Sequence, residues 1–181
     1  MTAPQGERQY HPIARGSMIL YHGTSSVNLV GILSDGLNNP CLTDDESIAA
    51  YYAECETDER GGQQVLLKVV IDDSVDKLKP DYPAFEEPLT FYRNDYASSD
   101  REWHQMIETD EIPYPSNDAD WAISLEVVHS ISVEGTIPKE RIILADEYQH
   151  LLTEELIAER LKARIEQTRA PSVTTGPRMH K

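Results

Sequence analysis

Residues 65–71 read Val-Leu-Leu-Lys-Val-Val-Ile, rich in β-branched side chains and apolar at every position but one. Such a run is a strand. A second, Ser-Met-Ile-Leu-Tyr-His at residues 17–22, reads as a buried strand too. A chain carrying both must build a sheet, and the segment between them reads as helical. Ser25 or Ser26 caps a short helix with Val27, Val30 and Leu33 on one face, and Gly36 ends it. Leu37 to Leu42 reads as a loop through Asn38, Asn39 and Pro40. Thr43-Asp44-Asp45-Glu46 has the form of a capping box. The helix behind it places Ile48, Tyr51, Tyr52 and Cys55 at i, i+3, i+4 and i+7, on one face. Gly61-Gly62 closes the connection to the second strand.

Residues 81–120 differ in character. They hold 11 acidic residues against two arginines, with Pro83, Pro88, Pro113 and Pro115. This predicts a long, partly helical surface insertion with a helix around Asp100 to Ile107. Residues 121–126, Trp-Ala-Ile-Ser-Leu-Glu, and Ile131 to Glu134 read as strands. Pro138 to Ile142 turns into another short element, and Thr153 opens a terminal helix with Ile157, Leu161 and Ile165 on one face. The organisation is a flexible leader over 1–16, a single domain over 17–167 with the acidic insertion at about 81–120, and a disordered tail over 168–181. From Lys162 onward the chain turns basic (Lys162, Arg164, Arg169, Arg178, Lys181, against the one acid Glu166), as a plain tail or as a docking arm.

A net charge of −16 over 181 residues excludes nucleic-acid binding across a broad face. It leaves open a local contact, or mimicry of a nucleic acid. No apolar run approaches the roughly 18 residues that span a bilayer. The first 16 residues contain no apolar signal core, so the expected location is the cytoplasm, that of a host if the chain is phage-encoded. Cys41 and Cys55 have no His/Cys set around them and read as free thiols. His104 with Glu102 and Glu108 lacks a second ligand cluster, so no metal is expected.

Three pieces carry chemistry in order along the chain: Tyr21-His22-Gly23-Thr24-Ser25; Leu42-Thr43-Asp44 through Tyr51-Tyr52-Ala53; and Ser124-Leu125-Glu126 with Glu134-Gly135-Thr136-Ile137-Pro138. A Gly36-Leu37 pair precedes the second. Together they resemble the ADP-ribosyltransferase superfamily, in the branch with a His-Tyr-Glu triad typified by diphtheria toxin and the poly(ADP-ribose) polymerases. The resemblance runs over about residues 18–144, less the insertion. It implies an α+β fold: two small, packed, mostly antiparallel sheets with flanking helices and a cleft for NAD. It implies transfer of ADP-ribose from NAD to a macromolecular acceptor, protein or nucleic acid, with release of nicotinamide. The tRNA 2′-phosphotransferases share the superfamily but hold RNA phosphates with arginines, and no basic cluster lies near His22.

Each match has a physical reason. A strand end can hold the nicotinamide amide with its own backbone groups, and Gly23 permits close approach. His22 can hydrogen-bond the ribose hydroxyls, with Thr24 or Ser25 adding a hydroxyl contact. The nicotinamide ring is flat and cationic, so it favours an aromatic wall. The family pattern puts that tyrosine before a small residue, which selects Tyr52 ahead of Ala53, with Tyr51 the alternative. Cleaving the glycosidic bond passes through an oxocarbenium-like state that a carboxylate stabilises. The resemblance assigns this to Glu126, or to Glu134. The plainer readings are a satisfied strand-end histidine, two core tyrosines and two solvated carboxylates. Two other functions stand beside the transferase: NAD hydrolysis, with water as acceptor, and a non-catalytic acidic binding or inhibitor protein.

Overall fold

The structure is a computed structural model, described over residues 16–152. The expectations for residues before Gly16, for the helix from Thr153 and for the 168–181 tail lie outside the described residues.

The elements run β1 (Ser17–Ser25), α1 (Ser26–Asp35), β2 (Leu37–Asn38), β3 (Cys41–Thr43), α2 (Glu46–Arg60), β4 (Gln64–Asp72), β5 (Lys77–Pro80), α3 (Tyr82–Glu86), α4 (Thr90–Arg93), α5 (Asp100–Glu108), α6 (Trp121–Val128), β6 (Ser130–Glu134), β7 (Thr136–Ile137) and β8 (Ile142–Leu144). The α+β class and antiparallel pairing agree with expectation. The division into sheets does not. Among the described residues six strands form one sheet in the order β5-β6-β3-β1-β4-β8, and β2 and β7 pair apart. The reason is β3, in a segment that reads as loop: it pairs with β1 at Tyr21 and with β6 from Cys41 to Thr43, joining the two halves.

β1 and β4 pair over nine residues, from Ser17 opposite Asp72 to Ser25 opposite Gln64. Along β4 the burial alternates, and Val65, Leu67, Val69 and Ile71 are fully buried on one face. They meet Leu20, Leu29, Leu42, Ile131 and Ile137 in the main core. Helix α1 is capped by Ser25 and ended by Gly36 at φ +86°. Its buried residues are Leu29 and Ile32, while Val27 stands 47% exposed, so the inward face is rotated from the one the apolar spacing suggests.

Helix α2 starts later than the capping box at Thr43 predicts. Asp45 is the N-cap, its Oδ1 accepting from the Ser47 and Ile48 amides at 2.7 and 3.4 Å. Thr43 belongs to β3 and its hydroxyl instead accepts from the Asp45 amide at 3.1 Å. The buried face of α2 is Ile48, Ala49 and Ala53. Ala49 and Ala53, one turn apart, set the helix directly on β1 at Gly23. A Cβ on Gly23 would lie 1.8 Å from the Ala49 carbonyl oxygen and 2.7 Å from the Ala53 nitrogen. In the sequence Gly23 reads as room for a ligand, yet its first necessity is this helix.

Two further expectations are overturned. Residues 121–128 are a helix, not a strand. Ser124, Leu125, Val127 and Val128 are its buried residues, a helical spacing, and His129 ends it in the left-handed conformation at φ +55°. The 81–120 segment is not a surface insertion. Phe85, Trp103 and Ile112 are fully buried and build a second core with Tyr92, Ile48, Val127 and Val128. The Trp103 indole donates to the Phe85 carbonyl at 2.8 Å and the Tyr92 hydroxyl to the Ala84 carbonyl at 2.9 Å. The helix expected around Asp100 is present as α5. Among the described residues no helix is long and apolar enough to cross a membrane.

Two predictions follow from this packing. Gly23→Ala forces α2 off β1 and costs about 3 kcal/mol of unfolding free energy, read from urea denaturation. Because the clash is with backbone, adding Ala49→Gly recovers none of it. The second concerns His129, whose Nδ1 meets Asp44 Oδ1 at 2.8 Å and ties the α6–β6 turn to the β3–α2 turn. The hydrogen bond to Asp44 raises the imidazole pKa above its ordinary value, against the opposing effect of burial. The pairing therefore adds stability that is complete below the unfolded-chain value of about 6.5 and is lost as pH rises through the higher folded value. Thermal melts of Asp44→Asn should lose that pH dependence while the wild type keeps it.

Candidate functional site

The open end of β1 carries the site. β4 pairs with β1 along its whole length, but β3 pairs with it only at Tyr21. Beyond that point the β3-side edge of β1 faces a cavity of about 810 Å³. Its walls are β1 from Tyr21 to Thr24, α1 with Val27 and Asn28, β3, and the face of α2 bearing Tyr52, Cys55 and Glu56. The structure thus brings His22, Gly23, Thr24 and Tyr52 to one cavity.

His22 is half-buried, and its Nδ1 lies 3.1 Å from the Cys41 carbonyl oxygen. A carbonyl only accepts, so Nδ1 carries the proton. Burial pushes the imidazole pKa below its ordinary value, more than the Cys41 and Glu56 interactions raise it. At neutral pH the ring is therefore uncharged, with Nε2 bare. That nitrogen can accept a hydrogen bond from a hydroxyl.

Thr24 is buried and its Oγ1 accepts from Asn28 Nδ2 at 3.2 Å. The same amide donates to Glu56 Oε2 at 3.1 Å, and Arg60 Nε meets that oxygen at 2.9 Å. The chain Thr24–Asn28–Glu56–Arg60 locks α1 to α2 across the cavity wall. Ser25 takes no part in the lining. As the N-cap of α1 it receives the Val27 amide at 3.4 Å, and it donates its proton to the Gly61 carbonyl.

Tyr52 lines the cavity and is 39% exposed. Burial around the phenol oxygen raises its pKa well above the ordinary value, with smaller contributions from Tyr92, Asp81 and Cys41. The hydroxyl stays protonated and the ring neutral. Tyr51 does not line the cavity, nor does it pack inward. It is 37% exposed, with its ring centroid 5.6 Å from Tyr52 and 6.1 Å from Phe91. The two tyrosines and the exposed Phe91 form an aromatic track leading out from the cavity.

Neither glutamate singled out from the sequence reaches the cavity lining. Glu126 sits on the exposed side of α6, a consequence of the strand there being a helix. Glu134 ends β6 and pairs with Lys77 Nζ at 3.1 Å and Lys79 Nζ at 2.6 Å, at a separate surface depression. These lysines hold its carboxyl below the usual range. The acids that do line the cavity are Asp35, Glu56 and Glu59. Glu56 follows Tyr52 by four residues, so helical spacing marks it as a neighbour. Asn28, Cys41 and Ser130 also line the cavity, brought there by tertiary contacts that no local pattern announces. Among the described residues no cluster of three or more His, Cys, Asp or Glu is placed to hold a metal ion.

Comparison with protein-family models, with curated proteins and with solved structures found no match for this chain.

Exposure decides one prediction here. Since Tyr51 and Tyr52 both stand open to solvent, either substitution to Ala changes unfolding free energy by less than about 1 kcal/mol in urea titrations. Trp103→Ala, in the second core, costs about 4 kcal/mol in the same assay.

Proposed function

We propose that the cavity binds NAD⁺ and that the protein is a mono-ADP-ribosyltransferase, moving ADP-ribose to a macromolecular acceptor and releasing nicotinamide. One observation carries the reading: a neutral His22 with a bare Nε2 shares a cavity with the open ring of Tyr52. NAD⁺ asks for that pair. Its ribose hydroxyls are donors for Nε2, and its cationic ring stacks on a neutral phenol with a gain of roughly 0.5–2 kcal/mol. The unpaired edge of β1 beyond Tyr21 offers backbone groups to the carboxamide. A volume of about 810 Å³ also suits a ligand of this size.

In the reaction the bond from ribose C1′ to the nicotinamide nitrogen breaks, and its electron pair leaves with nicotinamide. Positive charge develops on the ribose while the acceptor's lone pair forms the new bond. With water as acceptor the same site would be an NAD hydrolase. The non-catalytic reading keeps one argument: Glu126 and Glu134 both lie outside the cavity lining.

Nicotinamide release from NAD⁺, followed with and without cell lysate, tests the proposal. Release that depends on lysate is expected for a transferase, and release in buffer alone for a hydrolase. Tyr52→Ala should weaken NAD⁺ binding about tenfold in calorimetric titration, while Tyr51→Ala leaves it within about twofold. Glu126→Gln and Glu134→Gln should both keep wild-type turnover, reversing the assignment that the family resemblance suggests. Absence of any NAD⁺ binding, with no nicotinamide released, leaves the acidic binding protein as the better reading.

A further inference from the structure

The inner wall of the cavity hides a carboxylate. Asp81 follows β5 directly and is only 6% exposed. Its Oδ2 accepts the Ser130 hydroxyl proton at 2.6 Å, and its backbone N–H donates to Ser124 Oγ at 2.9 Å. The Ser124 hydroxyl in turn donates to the Ser130 carbonyl at 2.7 Å. This buried triangle ties β5, α6 and β6 together, and Ser130 lines the cavity.

Among the described residues no cationic side chain pairs with Asp81. A buried carboxylate without a counter-charge is costly, and hydrogen bonds offset only part of that cost. A cationic ligand would offset more. The Ser130 hydroxyl donates to Asp81, which leaves its oxygen lone pairs free and enriched by the carboxylate in a residue that lines the cavity. The charge of Asp81 already reaches two other lining groups, helping to push the Tyr52 phenol and the Cys41 thiol up.

We propose that Asp81, acting through the Ser130 hydroxyl, is the positioning carboxylate of this cavity and makes it select a cationic nicotinamide ring and ribosyl centre. The inference rests on the NAD⁺ reading above. In the glycosidic step the C1′–N bond breaks and its electrons neutralise the nicotinamide nitrogen. The positive charge passes to the ribose, where Ser130 touches it and Asp81 supports it from behind. The acceptor's lone pair then forms the new bond at C1′ and its proton goes to water. No other reactant is needed.

NAD⁺ and its dihydro form NADH differ at the ring by one positive charge, which makes them the probes. Calorimetric titration should show wild-type protein preferring NAD⁺. Asp81→Asn, which keeps an acceptor for the Ser130 hydroxyl, should shrink the NAD⁺-to-NADH affinity ratio about tenfold. A merely structural Asp81 would leave that ratio unchanged even if both affinities fell, and an unchanged ratio overturns the proposal. If Asp81→Asn does not fold, Ser130→Ala decides: it should shrink the NAD⁺-to-NADH affinity ratio in the same way and drop kcat for nicotinamide release about a hundredfold. Wild-type kcat in Ser130→Ala would overturn it. Wild-type protein that binds neither dinucleotide sinks the NAD⁺ reading itself, and this inference with it.

Discussion

At Gly23 the backbone of β1 lies so close to α2 that a methyl group would sit 1.8 Å from the Ala49 carbonyl oxygen. Only glycine in the strand, facing the small residues Ala49 and Ala53 in the helix, permits that approach. Everything at the site depends on it. With α2 seated there, Tyr52 and Glu56 stand over the end of β1, and His22 and Thr24 flank the contact. A larger residue at 23 would lift the helix and open the cavity wall. The same short distance also limits α2 in the other direction. Ile48, at its first turn, must reach down into the second core with Phe85 and Trp103. One helix therefore joins the sheet at Gly23, the cavity and the aromatic core.

The second constraint is polar. β3 ends its pairing with β1 at Tyr21, and the Cys41 carbonyl in β3 is left to accept from His22. A short strand in what reads as a loop thus does two jobs. It bridges β1 to β6 in the sheet, and it fixes which nitrogen of His22 bears the proton. The pairing of β3 with β6 also places Ser130 opposite Thr43, which puts the Asp81–Ser130 pair against the same cavity. Sheet register and site chemistry are the same set of contacts seen twice.

The local elements that position His22 and Tyr52 were legible because their signals are local. A β-branched run marks β4 and a short apolar run marks β1, Ser25 and Gly36 bound α1, and a tyrosine before an alanine marks the face of α2. What escaped was decided by tertiary contacts. Trp121 to Val128 is apolar nearly all round over eight residues, too short for periodicity to separate helix from strand. The acidic count over 81–120 concealed Phe85, Tyr92 and Trp103, because outward-facing acids dominate the composition while a few aromatics make the core. Thr43 looked like a cap because capping and strand-ending residues are the same types, and only its pairing with Tyr21 and Ser130 decides. Asp81 is one of 32 acids, and nothing in its neighbourhood along the chain distinguishes it. Its meaning comes from Ser130, 49 residues away.

The state of His22 tests the central claim most directly, since the cavity is proposed to read a ribose hydroxyl through a neutral imidazole. Long-range ¹H–¹⁵N spectra of the imidazole at pH 7, recorded with and without millimolar NAD⁺, report both nitrogens. The expected spectrum shows a proton on Nδ1 and a bare Nε2, with the Nε2 resonance moving as it accepts a hydrogen bond from added NAD⁺. A doubly protonated ring, a proton on Nε2, or an Nε2 resonance indifferent to saturating NAD⁺ would contradict it.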